Sequence, residues 1–193
     1  MGCSPLRPRL PKLKIPKTTD RQIIFVTGGG EMTMTSSASS LVLSNIRVEV
    51  TGHTTLFVDI PELTMTGISR SPIGGAMHVD RDSSLEFFWD VKFLNNTLSY
   101  ETDFYWLEYG GAALFNAGAV KFHQQAYFRD NGQFAIDGAY SKNADGGAVQ
   151  NLGTIEFMRK TKFWNNFNSR GGSGGGMANA GSVSFRRRAI WRG

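Results

Sequence analysis

Val120-Lys121-Phe122 followed by Ala126-Tyr127-Phe128, with Gly110-Gly111-Ala112-Ala113-Leu114 ahead and Asn131 behind, is the stretch that decides the fold. Each triplet points its residues in, out and in, the period of a short β-strand, and the outward residue is polar or amphipathic. The two inward aromatics stand six residues apart. The same order recurs in Leu85-Glu86-Phe87 with Val91-Lys92-Phe93, in Ile155-Glu156-Phe157 with Thr161-Lys162-Phe163, and in Val183-Ser184-Phe185 with Ala189-Ile190-Trp191. Successive copies are offset by 35, 35 and 28 residues, counted from Phe87 to Phe122, Phe157 and Phe185.

A glycine signature precedes each pair: Gly74-Gly75-Ala76-Met77, Gly110-Gly111-Ala112, Gly146-Gly147-Ala148-Val149 and Gly174-Gly175-Gly176-Met177. Asparagine recurs in two series, Asn116, Asn151, Asn179 and Asn96, Asn131, Asn166. Like elements in like order, without helical crossovers or hairpin signals, favour strands stacked parallel from copy to copy. Stacking sets equivalent residues about 4.8 Å apart, so asparagines in register can relay amide hydrogen bonds. Phe93, Phe128 and Phe163 are therefore expected as core rungs, and the two asparagine series as ladders. Apolar spacing of three and four is missing, which argues against helices. The expected class is all-β, a right-handed parallel β-helix with four clear coils over 74–193. More degenerate coils precede them, with strands at 23–26, 41–43, 46–50, 56–60 and 63–65.

Phe93-Leu94-Asn95-Asn96, Phe128-Arg129-Asp130-Asn131 and Phe163-Trp164-Asn165-Asn166 each read F-x-x-N after a Gly-Gly-Ala-type tetrad. This pairing resembles the repeat of the chlamydial polymorphic outer membrane proteins and of related pectin-lyase-like β-helix proteins. The resemblance covers residues 74–193, and 23–73 by continuity. It implies a right-handed β-helix and, for the bacterial family, a cell-surface passenger acting in adhesion.

Composition bounds the rest. The chain of 193 residues reads as one β-helix domain over 23–193, or a piece of a longer solenoid, after a basic Pro-rich leader over 1–22 expected to be disordered. The net charge of +5 is uneven: residues 1–22 carry six Lys/Arg and one Asp, 23–155 carry seven basic and fourteen acidic residues, and 156–193 carry eight basic and one acidic. Nucleic-acid binding would want a continuous basic face with stacking aromatics, so no nucleic-acid partner is expected. No apolar run approaches a membrane helix, and the N-terminus has prolines and basic residues where a signal peptide would be apolar. Cys3 is the only cysteine, which excludes an intrachain disulfide. Neither metal nor cofactor is expected: His53, His78 and His123 show no ligand spacing.

For function, the leading expectation is a non-enzymatic binding, adhesion or structural module, extracellular or at a cell surface if the full-length protein carries a signal sequence. Its binding candidates lie in a loop where aromatic and acidic residues interleave: Tyr100, Glu101, Asp103, Tyr105, Trp106, Glu108 and Tyr109. A protein or carbohydrate surface would suit them. End-to-end self-association is a further expectation, because an uncapped coil offers unpaired strand edges. The alternative is a polysaccharide-active enzyme of the pectate lyase or polygalacturonase type. That chemistry needs neighbouring carboxylates or an acidic calcium site with a basic proton acceptor. Asp80-Arg81-Asp82 comes nearest, and Asp137 and Asp145 bracket Lys142, but no lyase or hydrolase signature accompanies either. No catalytic residue is assigned.

Overall fold

The computed structural model describes residues 22–69, 75–100, 110–135, 146–169 and 174–193, with Tyr100 and Ala135 described by backbone alone. The described residues are all-β. Three parallel sheets hold six strands each and a fourth holds three. The first sheet stacks Gln22–Val26, Ile46–Val50, Met77–Val79, Leu114–Asn116, Val149–Asn151 and Met177–Asn179. The second stacks Gly30–Thr35, Thr54–Asp59, Ser84–Phe87, Ala119–Phe122, Thr154–Phe157 and Ser182–Phe185. The third stacks Leu41–Ser44, Glu62–Thr66, Asp90–Leu94, Ala126–Arg129, Thr161–Trp164 and Ala189–Arg192. Thr97–Tyr100, Gly132–Ala135 and Phe167–Asn168 make the small fourth sheet. The chain visits first, second and third sheets in that order in every circuit and pairs each strand with its equivalent in the next, an arrangement consistent with a parallel β-helix.

Register explains the interior. Phe87, Phe122, Phe157 and Phe185 are partners across the second sheet and stack at centroid distances of 4.9, 4.8 and 4.9 Å. Phe93, Phe128, Phe163 and Trp191 form the matching column on the third sheet, at 5.1, 4.8 and 4.1 Å. Within each circuit the two rings meet edge to face, as Phe122 and Phe128 do at 6.1 Å and 82°. Offset stacks along the column and T-shaped contacts across it are the two arrangements that the ring quadrupole favours.

In the first two circuits the same slots hold Met34 and Val58 in one column and Leu43 and Met65 in the other, all buried. The core thus continues while the aromatic signal disappears. Strands occur over 22–66 as expected, with one addition: Gly30–Thr35, whose Met-Thr alternation sits among glycines and serines that read as loop. A second addition is the later part of the first sheet, the three-residue strands Met77–Val79, Leu114–Asn116, Val149–Asn151 and Met177–Asn179 that the glycine signature leads into.

The glycine signature also shifts register. Leu114 pairs with Met77 and Val149, so Gly111 rather than Gly110 aligns with Gly146 and Gly174. All three have left-handed φ, +73°, +77° and +71°, which an L side chain rarely adopts.

Candidate functional site

The binding residues selected from sequence fall largely outside the described residues: Glu101, Asp103, Tyr105, Trp106, Glu108 and Tyr109 all do, and Tyr100 is placed only as the last residue of Thr97–Tyr100. Their position along the chain is nonetheless informative. Segments 70–74, 101–109, 136–145 and 170–173 all occur at one point of the circuit, after the third-sheet corner and before the strand of the first sheet. The stems on either side are tied down. The Gly110 amide donates to Gln150 Oε1, and Gln133 Nε2 donates to the Gly146 carbonyl at 3.0 Å.

The asparagines form two columns. In one, Asn96 Nδ2 donates to Asn131 Oδ1 at 3.0 Å and Asn131 Nδ2 to Asn166 Oδ1 at 3.1 Å. The same oxygens accept the backbone amides of Asn96 and Asn131, and Asn96 Oδ1 accepts that of Ile68. Each Nδ2 also reaches back to a strand-end carbonyl one circuit earlier, on Met65, Phe93 or Phe128. Those backbone groups lie where the third-sheet ladder stops and would otherwise be buried without partners. The residue before each asparagine makes the bend: Asn95, Asp130 and Asn165 have φ of 53°, 55° and 49°, the left-handed region that Asn and Asp tolerate best. In the other column Asn116 donates to Asn151 at 2.7 Å and Asn151 to Asn179 at 2.6 Å. Asn96, Asn131, Asn116 and Asn151 are buried, Asn166 is half-buried and Asn179 exposed, and the side-chain bonds that link them brace the stack.

A polar cluster occupies the outward side of the first sheet. Arg47 Nε pairs with Glu49 Oε1 at 2.8 Å, and Arg47 Nη2 lies 3.5 Å from His78 Nδ1. Glu49 and His78 are register partners, and His78 stacks on Phe115 at 4.8 Å. Burial, reinforced by the Arg47 charge and opposed by Asp80, lowers the His78 pKa to about 4. The imidazole is therefore neutral at pH 7. Arg47 and Gln150 are only 4% and 6% exposed. Sequence gave no hint of this cluster beyond the alternation that turns Arg47 and Glu49 away from the interior.

The corner between the second and third sheets has a different character. In each of the last four circuits three residues stand between the inward aromatic of the second sheet and the inward residue that opens the next triplet, with Asp90 already the first residue of its strand, so the inward aromatics are always six apart. Register places Phe88-Trp89-Asp90, His123-Gln124-Gln125, Met158-Arg159-Lys160 and Arg186-Arg187-Arg188 one above another. His123, Met158 and Arg186 each donate their amide at 2.9 Å to the Phe carbonyl of the preceding circuit. A shallow groove of about 520 Å³ runs over the last three rows, lined by His123, Gln124, Met158, Arg159, Arg186 and Arg187. It continues past Gln125, Lys160 and Arg188. Glu156 holds Arg186 at 3.1 Å and Lys121 at 3.2 Å, and these two cations keep its carboxyl below the usual range. Arg159, Lys160, Arg187 and Arg188 are exposed and form no ion pair with any described residue.

Asp80 and Asp82 sit in an exposed turn between the first and second sheets, where Asp80 Oδ1 accepts the Arg81 amide at 2.8 Å. Asp137, Lys142 and Asp145 lie outside the described residues. Among the described residues no three His, Cys, Asp or Glu side chains group as metal ligands, and no helix is long and apolar enough to cross a membrane. Set against known proteins, the chain matches no family model, no curated protein and no solved structure.

Proposed function

We propose that the stack is a right-handed parallel β-helix of the pectin-lyase-like kind, with the F-x-x-N coils of polymorphic outer membrane proteins, and that it serves as a non-enzymatic binding or adhesion scaffold at a cell surface or outside the cell. The observation that carries this reading is where the last three circuits differ in length. Among them the first-to-second-sheet turn stays at two residues and the second-to-third-sheet corner at three, whereas the stretch leading into the first-sheet strand is 13 residues before Leu114–Asn116 and before Val149–Asn151 and eight before Met177–Asn179. A rigid stack that varies along a single edge is built to present loops, and loops held by a rigid frame are where recognition residues concentrate. The stretch containing Tyr105 and Trp106 is the richest of the three in aromatic and acidic groups, chemistry suited to a sugar ring or a protein surface.

The test is binding of the full chain to arrays of glycans and extracellular proteins, repeated with Tyr105→Ala/Trp106→Ala. The expected result is binding by the parent that the double variant loses while its melting temperature holds. Turnover of polygalacturonate that disappears in Asp80→Ala/Asp82→Ala would overturn it in favour of an enzyme.

A further inference from the structure

The geometry points to a second binding site, away from the loop edge: the groove over the second-to-third-sheet corner of the last three circuits, which takes a sulfated polysaccharide chain. Three features of that corner carry the inference.

The first is uncompensated charge. Circuits one to three hold eight carboxylates against three Lys/Arg among the described residues, and circuits four to six hold nine Lys/Arg against two carboxylates. The excess gathers at this corner, where Arg159, Lys160, Arg187 and Arg188 stand side by side without ion pairs. Like charges held this close by a rigid backbone repel one another, and an anion that bridges them relieves the repulsion. Glu156, held between Arg186 and Lys121, already does this for the neighbouring cations.

The second is spacing. Parallel register repeats the cations from circuit to circuit about every 4.8 Å, close to the length of one sugar ring in an extended chain. A polymer lying along the stack axis would meet one row of the corner per ring. Guanidinium forks match a sulfate oxyanion in shape as well as charge, and a sulfate ester stays ionised at every physiological pH.

The third is what surrounds the charge. Gln124 and Gln125, one row on, carry amides that can exchange hydrogen bonds with ring hydroxyls. A single-stranded nucleic acid would want open aromatic faces for its bases. The rows that line the groove carry no Phe, Tyr or Trp, and in the row beyond the amides Phe88 lies stacked on His123 at 5.0 Å, which leaves Trp89, 46% exposed with its Nε1–H donated to Asp59 at 2.8 Å, as a single open ring rather than a stacking platform.

The experiment uses the full chain with heparin as the probe, with fully desulfated heparin and oligo(dT) as comparison arms. Arg187→Gln/Arg188→Gln should lower the slope of log Kd against log salt by about 2, since two counterion-releasing contacts are gone. Arg81→Gln/Lys92→Gln removes the same charge elsewhere and should leave the slope unchanged. Bound heparin fragments should also protect Lys160, and not Lys92, from an amine-reactive label. An equal slope change in both double variants, protection confined to Lys12, Lys14 and Lys17, or retention unaffected by desulfation would each overturn the site. Tighter binding of oligo(dT) than of heparin would reassign it to nucleic acid. Loss of Tyr105 and Trp106 should not alter any of these readouts, which separates this site from the loop edge.

Discussion

Asn131 Nδ2 donates to Asn166 Oδ1 at 3.1 Å while also donating to the Phe93 carbonyl at 2.9 Å, so one buried amide joins three successive circuits. Its oxygen accepts both the backbone amide and the side chain of Asn96. Replacing Asn131 by Ala strands donors and acceptors on both sides, and the expected cost is about 1–3 kcal/mol. Urea denaturation checks it. Asn131→Asp is a sharper control, because it keeps the acceptor but loses the two donations from Nδ2, so a stability equal to the parent's would show that those donations contribute nothing.

The turn after the first sheet repeats as Asn116-Ala117-Gly118, Asn151-Leu152-Gly153 and Asn179-Ala180-Gly181. A Cβ on Gly153 would stand 2.0 Å from the Gly118 carbonyl oxygen, and one on Gly181 would stand 2.0 Å from that of Gly153. The contacts are backbone, so no rotamer change relieves them. Gly153→Ala should cost about 2–3 kcal/mol through displaced strands, whereas Leu152→Ala, on a side chain 42% exposed, should cost less than about 1 kcal/mol. Thermal melts that rank the two variants the other way would contradict the close-approach reading.

How much of this was legible in the sequence depended on whether the signal was local. The Phe columns could be read because a constant three-residue corner keeps Phe122 and Phe128 six apart in every copy. The first two circuits could not be read as copies, because Val58 and Met65 fill the same slots without the aromatic mark. Asn96 and Asn131 stood out by recurrence, but the left-handed bend at Asn95 and Asp130 did not, since Asp replaces Asn there. Arg186 to Arg188 were visible as part of the basic stretch over 156–193. That they extend the rows of Arg159-Lys160 and Gln124-Gln125 follows only from register. The Arg47 and His78 pair lies 31 residues apart with no motif around either, so only the parallel fold brings them together.

His78 supplies a pH test. Its pKa is lowered from 6.5 to about 4 in the folded chain, so between those values the unfolded chain binds the extra proton. Stability contributed by the neutral ring is present above pH 6.5, falls as the pH drops, and is lost below about 4. The expected loss is on the order of 2–3 kcal/mol. Urea midpoints between pH 7 and 4 should decline for the parent and decline less for His78→Phe, which keeps a ring to stack on Phe115. Identical pH profiles for the two proteins would rule out His78 as the cause.

Phe157 and Phe185 test how the stack shares its stability. Phe157 is fully buried, with Phe122 at 4.8 Å on one side and Phe185 at 4.9 Å on the other, and Phe163 edge-on at 6.4 Å. Phe185 is 37% exposed, and its ring contacts among the described residues are Phe157 at 4.9 Å and Trp191 at 6.3 Å. Truncation of Phe157 removes two stacked faces and leaves a void that neighbouring rings, fixed by the strands, cannot fill, so Phe157→Ala should cost about 3–5 kcal/mol. Phe185→Ala opens onto solvent and should cost less than about 2 kcal/mol. In a stack where each circuit touches only its neighbours, the two losses also differ in kind: one breaks an interface between two described circuits on either side, the other loosens the last described circuit. Hydrogen exchange resolves this. Phe185→Ala should speed exchange in Ser182–Phe185 and Ala189–Arg192 while leaving Ala119–Phe122 protected, and Phe157→Ala should expose both sides of the break. Uniform loss of protection in both variants would show that the chain unfolds as one cooperative unit, in which no circuit can loosen alone.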